Sequence, residues 1–528
     1  MDRRLENIDR INGRPVSSWQ ARGWWGRRPL WERVRDTALV EPAKPAIIDG
    51  NKIISYGELW RDALKHVAAL QAHGAEARDI VLVQLPNWHE FVTLAVAAEV
   101  ARVVFAFCPI QWGLRETVRA LRLIKPKIWF TTRYPRAKED RTAVIQQALR
   151  EGVGEPIPAV VLARSEGFPK ATVLDSWLAN AKADLAGPTP GGRGTDPLEI
   201  AVTSGSTGEP KGVLHIHSSA LATVDSTIQR QGIGPADIIH LAVPVGHTFG
   251  YFYGVRCALQ AGGALLLQSR WDAQTMIALT ERYKPTVSLG PSAFMIDLLG
   301  LKPQSLSPLA SLRFFTLAGD SLPAPTVRRA IANMPFRISR ALGMTEFGHV
   351  CSTDAETPIE AIVNTLGSAQ PEMMVVIFDE QGRQVASGTE GRIMVKGPFL
   401  FTGYLKEGEV DQAVLEQNVF FDTGDLGMMN EQGFLQLTGR VKNVIRRGAE
   451  TVPVGLLEDV IASHPDVLNA VVVGISDERL GEAPFACVQL RPGANFSFGD
   501  VERLFAQQHV TKKFWPVGMK VFDEWPTG

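Results

Sequence analysis

From Val202 to Val213 the chain reads V-T-S-G-S-T-G-E-P-K-G-V, a run holding two serines, two threonines, three glycines and one lysine. The alternating apolar residues Leu198, Ile200 and Val202 lead into it and Leu214 to Ile216 lead out, so a strand should enter and a strand should leave. Glycine lets the main chain approach a ligand without a Cβ, so the loop can turn backbone N–H groups and hydroxyls toward an oxyanion. Lys211 adds a point charge suited to phosphate. The pattern is not a Walker A loop, because Gly212 stands where that motif needs Ser or Thr after the lysine. A plain polar turn is the simpler reading. Pro210 stiffens this one, however, and its composition favours an anion.

With 528 residues the chain exceeds one hydrophobic core, so two or more domains are expected. Its 45% apolar and 21% charged residues are ordinary for a globular protein. A net charge of −1 gives no case for nucleic acid or an anionic membrane as partner. Cys108, Cys257, Cys351 and Cys487 have no paired spacing, which points to a reducing, cytoplasmic compartment and away from a zinc site. The charged stretch Met1 to Arg10 lacks the apolar core of a signal peptide. The apolar run Val92 to Phe107 is interrupted by Glu99 and Arg102 and reads as a buried helix and strand, not a membrane span.

Along the chain, Trp19, Trp24, Trp25 and Trp31 lie among arginines and are expected to pack against the first domain. Tyr56 opens a helical pattern through Leu70 that His73-Gly74 should cap. Asp79 to Leu85, Ile128 to Thr132 and Ala159 to Leu162 read as strands between helices, which is α/β organisation. Gly187 to Pro197 and Asp411 to Asp425 read as connectors. Pro244-Val245-Gly246-His247-Thr248-Phe249-Gly250 is an apolar segment around a single histidine.

T-S-G-S-T-G-E-P-K-G-V resembles the phosphate-binding signature of the adenylate-forming superfamily, which includes acyl-CoA synthetases, aryl-acid ligases, luciferases and adenylation domains. The Tyr56 region and L-P-N at 85–87 resemble the N-terminal lobe of those enzymes. The resemblance implies a large multi-subdomain α/β domain over 1–439 and a small mobile α+β domain over 440–528. It implies ATP or AMP (as the acyl-adenylate), coenzyme A and Mg2+ as cofactors. Thr203, Ser204, Gly205, Ser206, Thr207 and Lys211 would hold phosphate. Ala318-Gly319-Asp320 would line the adenine and acyl sites. Thr345 would meet the α-phosphate, and Glu346 would be the metal ligand. An aromatic usually precedes the glycine of that second motif and lies against adenine. Leu342 stands there instead, implying weaker nucleotide affinity.

The same resemblance makes Asp425 and Arg440 the ribose readers and Lys442 the hinge. It sets Arg446 and Gly448 against the CoA tunnel in a second domain orientation. His247 would border the acyl pocket and the tunnel entry, with Thr248, Phe249, Gly290, Ala318, Gly343 and Met344 around the acyl group. Gly246, Gly250 and Gly254 are expected to leave room for a bulky, largely apolar or aryl carboxylic acid. Members that read hydroxybenzoates carry asparagine where Thr248 stands here.

In the family a lysine near the C-terminus, in a P-x-G-K type loop, holds carboxylate and α-phosphate during adenylation. The sequence given ends V-F-D-E-W-P-T-G without it, which leads to the expectation that mainly the thioesterification half-reaction is carried out. A separate adenylating enzyme would then be a partner. The alternatives are a complete ATP-dependent ligase, transfer to a carrier-protein thiol, and a non-catalytic acyl-adenylate binder.

Overall fold

The computed structural model describes residues 16–26, 28–135, 139–151, 159–168, 171–179, 181, 194–204, 210–319, 322–406, 410–412, 420–441, 445–447, 450–452, 454–477, 481–523 and 525. Among these the architecture is α/β, with a large N-terminal part and a small C-terminal α+β domain. Two nine-stranded sheets dominate the large part. In the first, Pro45–Asp49, Ala264–Leu267, Ile238–Leu241, Val287–Gly290, Phe314–Leu317 and Arg337–Met344 run parallel to their neighbours. In the second, Pro197–Ser204, Val104–Phe107, Ile80–Val83, Ile128–Thr131, Ala159–Leu162 and Ala171–Val173 do the same. These strands are short and mostly buried at every position, as expected when helices cover both faces of a parallel sheet.

The apolar run near residue 100 resolves into the helix His89–Ala101 and the strand Val104–Phe107. The helix contacts strands of both sheets, which explains why it is apolar all round. Its one buried carboxylate is paired: Glu99 lies 2.8 Å from the guanidinium of Arg256, which also reaches Glu199 at 3.2 Å. All three side chains are at most 1% exposed. Burial pushes the Glu199 carboxyl up to about 7, with Arg256 opposing. Removing one member would strand a buried charge, the costly case for such groups.

Trp19, Trp25 and Trp31 are buried in the core of the large part, and the Trp25 indole donates to the Pro398 carbonyl at 3.0 Å. The helix Tyr56–Ala72 has a capping box from Ser55 and Glu58, and it ends at His73 with Gly74 in the left-handed region. No helix among the described residues is long and apolar enough to cross a membrane. All four cysteines are free.

Arg337–Met344 is one strand through the A-L-G-M motif, because it leaves its parallel neighbour and pairs antiparallel with Gly348–Ser352. One reading is corrected. The end of the expected connector 411–425 is also strand: Phe421–Met429 pairs with Gly391–Lys396 and Leu435–Arg440 in a four-stranded sheet. Alternation of buried and partly buried residues along Phe421–Met429 is the period-two signal that the turn-like T-G-D masked.

The C-terminal strands Arg446–Arg447, Glu450–Thr451, Val467–Asp477, Gly481–Leu490 and Met519–Phe522 form a separate sheet. Its core gathers Ile445, Leu457, Val460, Val472, Val488 and Phe505 from the sheet and the two helices Val454–Ala462 and Phe498–Gln507.

Candidate active site

A cavity of about 1740 Å³ opens where parallel strands of both sheets end. Ala242 and Val243 follow the strand Ile238–Leu241, Pro291 follows Val287–Gly290, and Ala318-Gly319 follow Phe314–Leu317. From the second sheet come Thr203, at the end of its strand, and Pro86 and Ile110 beyond theirs. The carboxyl ends of parallel strands are where open α/β sheets bind ligands, because the loops there diverge and leave a crevice.

One end of the cavity is polar. Pro210–Ile216 pairs with Gly403–Leu405, which sets the Lys211 ammonium 4.7 Å from the centre of the Tyr404 ring. The Tyr404 hydroxyl donates to Glu346 Oε1 at 2.7 Å. His215, on the same strand as Lys211, donates from Nε2 to the Thr345 carbonyl at 2.7 Å, so the T-E pair is tied to the strand that leaves the phosphate loop. Burial raises the Glu346 carboxyl above its usual range, while Tyr404, Lys211 and Arg440 pull it down.

Asp425 and Arg440 are register partners in the third sheet, and Nε of Arg440 is 2.8 Å from Oδ1 of Asp425. Asp425 is buried and its carboxyl is raised by that burial; the Arg440 side chain is 61% exposed. Gly424 adopts φ +75°, a turn of the chain that its missing Cβ permits. The buried acceptor and the exposed planar donor fit a group with neighbouring hydroxyls.

Another part of the cavity lining is aromatic. Tyr253 and His349 stack with centroids 3.4 Å apart and planes 4° apart, and Phe249 leans on His349. Trp271 and Phe294 stack at 3.8 Å and 5°. Burial pushes the His349 imidazole down to about 3, so it is neutral at physiological pH. His247 is lowered for the same reason, and its side chain is exposed to the cavity.

Of the residues named from sequence, Thr203, Lys211, His247, Thr248, Phe249, Ala318, Gly319, Gly343, Met344, Thr345, Glu346, Asp425 and Arg440 meet on this one cavity. Two do not. Leu342 is turned into the core by strand alternation, while Gly343 borders the cavity. Gly290 is occluded by the ring of Phe294, which with Pro291 forms the wall instead. Gly205, Ser206, Thr207, Asp320, Lys442 and Gly448 lie outside the described residues, as do the side chains of Ser204 and Arg446.

The expectation that Gly246, Gly250 and Gly254 leave room for substrate is also corrected. A Cβ on Gly246 would sit 2.6 Å from the Cys108 carbonyl oxygen; on Gly250 it would meet the Pro244 backbone, and on Gly254 the Leu241 side chain. These glycines let the segment pack tightly behind the cavity wall. Tyr253, His349, Trp271, Phe294 and Tyr404 were not singled out from sequence, because their contacts join residues far apart in the chain.

Residues 34–405 match the family model of the AMP-binding enzymes, and residues 456–521 match that of the AMP-binding enzyme C-terminal domain. The chain belongs to this family, the adenylate-forming enzymes named for the nucleotide they bind. It is similar to the medium-chain fatty-acid–CoA ligase of Escherichia coli K12, 28% identical over 98% of this chain and 91% of that one. It is also similar to the indoleacetate–CoA ligase of Aromatoleum aromaticum, 26% identical over 94% and 95%. Among solved structures, ATP-bound MatB from Rhodopseudomonas palustris superposes with a TM-score of 0.82 at 26% identity, over 95% of this chain and 96% of that one.

Proposed function

We propose that the protein is an acid–thiol ligase that carries a bulky apolar or aryl carboxylic acid through an acyl-adenylate to coenzyme A. The observation that carries this reading is one cavity lined both by the charged cluster Asp425, Arg440, Lys211 and Glu346 and by paired aromatic rings. An acyl-adenylate has the same division, an apolar acyl group joined through phosphate to a hydroxyl-rich ribose. The similarity to ligases that act on fatty and aryl acids favours the same substrate class.

In this reading Thr345 and Lys211 meet the phosphate, and Asp425 and Arg440 hold the ribose. Glu346 would hold Mg2+, whose charge suits a carboxylate that burial otherwise disfavours in its ionised form. Neutral His247 borders the carbonyl carbon. Its lowered basicity keeps a positive charge out of the acyl end. In the second half-reaction the CoA sulfur attacks the acyl carbon, a C–S bond forms, the bond to the phosphate oxygen breaks, and AMP leaves. The thiol proton passes to solvent. Lys442, Arg446 and Gly448 remain assigned to the hinge and the CoA tunnel. We place the division between the two domains at residues 439 and 440, next to the end of the strand Leu435–Arg440.

Where the given sequence stops decides nothing about the first half-reaction. The two halves are separated by a paired assay: ATP–pyrophosphate exchange with benzoate, indole-3-acetate and octanoate, beside CoA consumption from the corresponding synthetic acyl-adenylates. CoA-dependent AMP release without exchange means that mainly thioesterification is carried out. Both activities together mean a complete ligase. Neither activity with any acid would contradict the ligase reading.

A further inference from the structure

The acyl end of the cavity is held by a buried amide that the reaction itself does not use. Asn87 follows the strand Ile80–Val83 of the second sheet, yet its side chain reaches into the first sheet. Its Nδ2 donates to the carbonyl of Val243 at 3.0 Å and of Gln268 at 3.1 Å, with a longer contact to Leu241 O at 3.4 Å. Its Oδ1 accepts from the Val245 N–H at 2.8 Å. The residue is 2% exposed. These groups lie where the strands Ile238–Leu241 and Ala264–Leu267 end and release their loops toward the cavity.

The Val245 amide is two residues before His247, and the intervening Gly246 packs against Cys108 and Pro109 with no space for a Cβ. Gln84, three residues before Asn87, donates from Nε2 to the Pro109 carbonyl at 3.0 Å. One short segment, 84–87, therefore fixes both layers of this packing: Gln84 the 108–110 turn, Asn87 the 241–245 turn. Gln268 extends the network, accepting from His240 Nε2 and donating to the Arg270 and Asp272 carbonyls on either side of Trp271. Buried carbonyls at strand ends need donors, and an amide that supplies them and also accepts one N–H locks the loop in a single arrangement.

We infer that Asn87 is a positioning residue for the acyl pocket, acting through His247 by fixing the 241–245 turn. Its effect on activity rests on the ligase reading above, whereas its effect on the turn does not. Two measurements on the full chain keep these apart. In hydrogen exchange, Asn87→Ala speeds exchange in 241–247 at least tenfold and leaves the strand Phe314–Leu317 of the same sheet unchanged. Unchanged exchange in 241–247, or an even rise across the sheet, would overturn the inference.

In kinetics, Asn87→Ala raises the KM for the acid (benzoate, indole-3-acetate or octanoate, whichever is turned over, or its synthetic acyl-adenylate where only thioesterification occurs) about 10- to 100-fold, while AMP binding changes less than twofold. Because Asn87 acts through His247, the double variant Asn87→Ala/His247→Ala has an acid KM no higher than His247→Ala alone. Parallel loss of acid and AMP affinity, or fold-changes that multiply, would overturn it. Asn87→Asp retains the acceptor and the shape but loses the donors. It should match Asn87→Ala in exchange, and it replaces that variant if Asn87→Ala does not fold. If neither an acid nor its synthetic acyl-adenylate is turned over by the wild-type protein, the ligase reading fails and the exchange result alone decides the role of Asn87.

Discussion

At the scale of single residues the site is an arrangement of buried groups whose preferred charge state needs a partner. Asp425 is the clearest case: burial disfavours its charge and Arg440 restores part of it. Asp425→Ala removes an acceptor for two hydroxyls, each charged hydrogen bond worth about 1.5–3 kcal/mol. AMP binding by calorimetry should weaken at least tenfold; an unchanged Kd contradicts the ribose assignment. Gly246→Ala tests the packing behind the wall. The new methyl meets the Cys108 backbone rather than open cavity, and such overpacking costs about 1–3 kcal/mol. A lowered melting temperature with a raised acid KM is expected, and a neutral variant would mean that the segment yields. The polar end was legible because Lys211, Thr345, Glu346, Asp425 and Arg440 stand in motifs that carry their own chemistry. Tyr404 and Asn87 were not, since Tyr404 meets Glu346 across 58 positions and Asn87 meets Val245 across 158. No local pattern announces such a pair.

At the scale of elements, period and punctuation in the sequence placed the helix Tyr56–Ala72 and the strands Ile80–Val83, Val104–Phe107, Ile128–Thr131 and Ala159–Leu162 of the second sheet, left most strands of the first sheet unread, and failed where turn-forming residues lie inside a strand. Phe421–Met429 contains T-G-D and Arg337–Met344 contains Gly343, and in both cases sheet pairing overrides local preference. The helix Val454–Ala462 carries a pH-sensitive contact. Burial lifts the Glu458 carboxyl from 4.5 to about 7, although its Oε1 accepts from the Val472 N–H at 2.9 Å. The folded state then holds a proton that the unfolded chain gives up above pH 4.5, so stability falls as pH rises from about 4.5 to about 7. The full penalty, roughly 3 kcal/mol at 1.36 kcal/mol per unit, is present above that window. Glu458→Gln keeps the acceptor and removes the titration. Calorimetric melting at pH 5 and pH 8 should show the wild-type protein losing stability relative to the variant at the higher pH. Parallel behaviour of the two would refute the role of this carboxyl.

At the scale of the whole molecule, three sheets of the large part converge on one cavity, and the small domain has its own core beside them. That arrangement brings charged groups and aromatic rings into one continuous space, the feature on which the ligase reading depends. Thioester formation requires both ends to grip one molecule, so damage at either should be felt by the same substrate. The most direct test is AMP release from synthetic acyl-adenylates of benzoate, indole-3-acetate and octanoate, with and without CoA, by the wild-type protein and by Asp425→Ala. The account predicts that at least one adenylate yields AMP and acyl-CoA in equal amounts, only when CoA is present, and that Asp425→Ala raises the KM for that adenylate at least tenfold. AMP release at the same rate without CoA, or an Asp425→Ala protein indistinguishable from wild type, would contradict it.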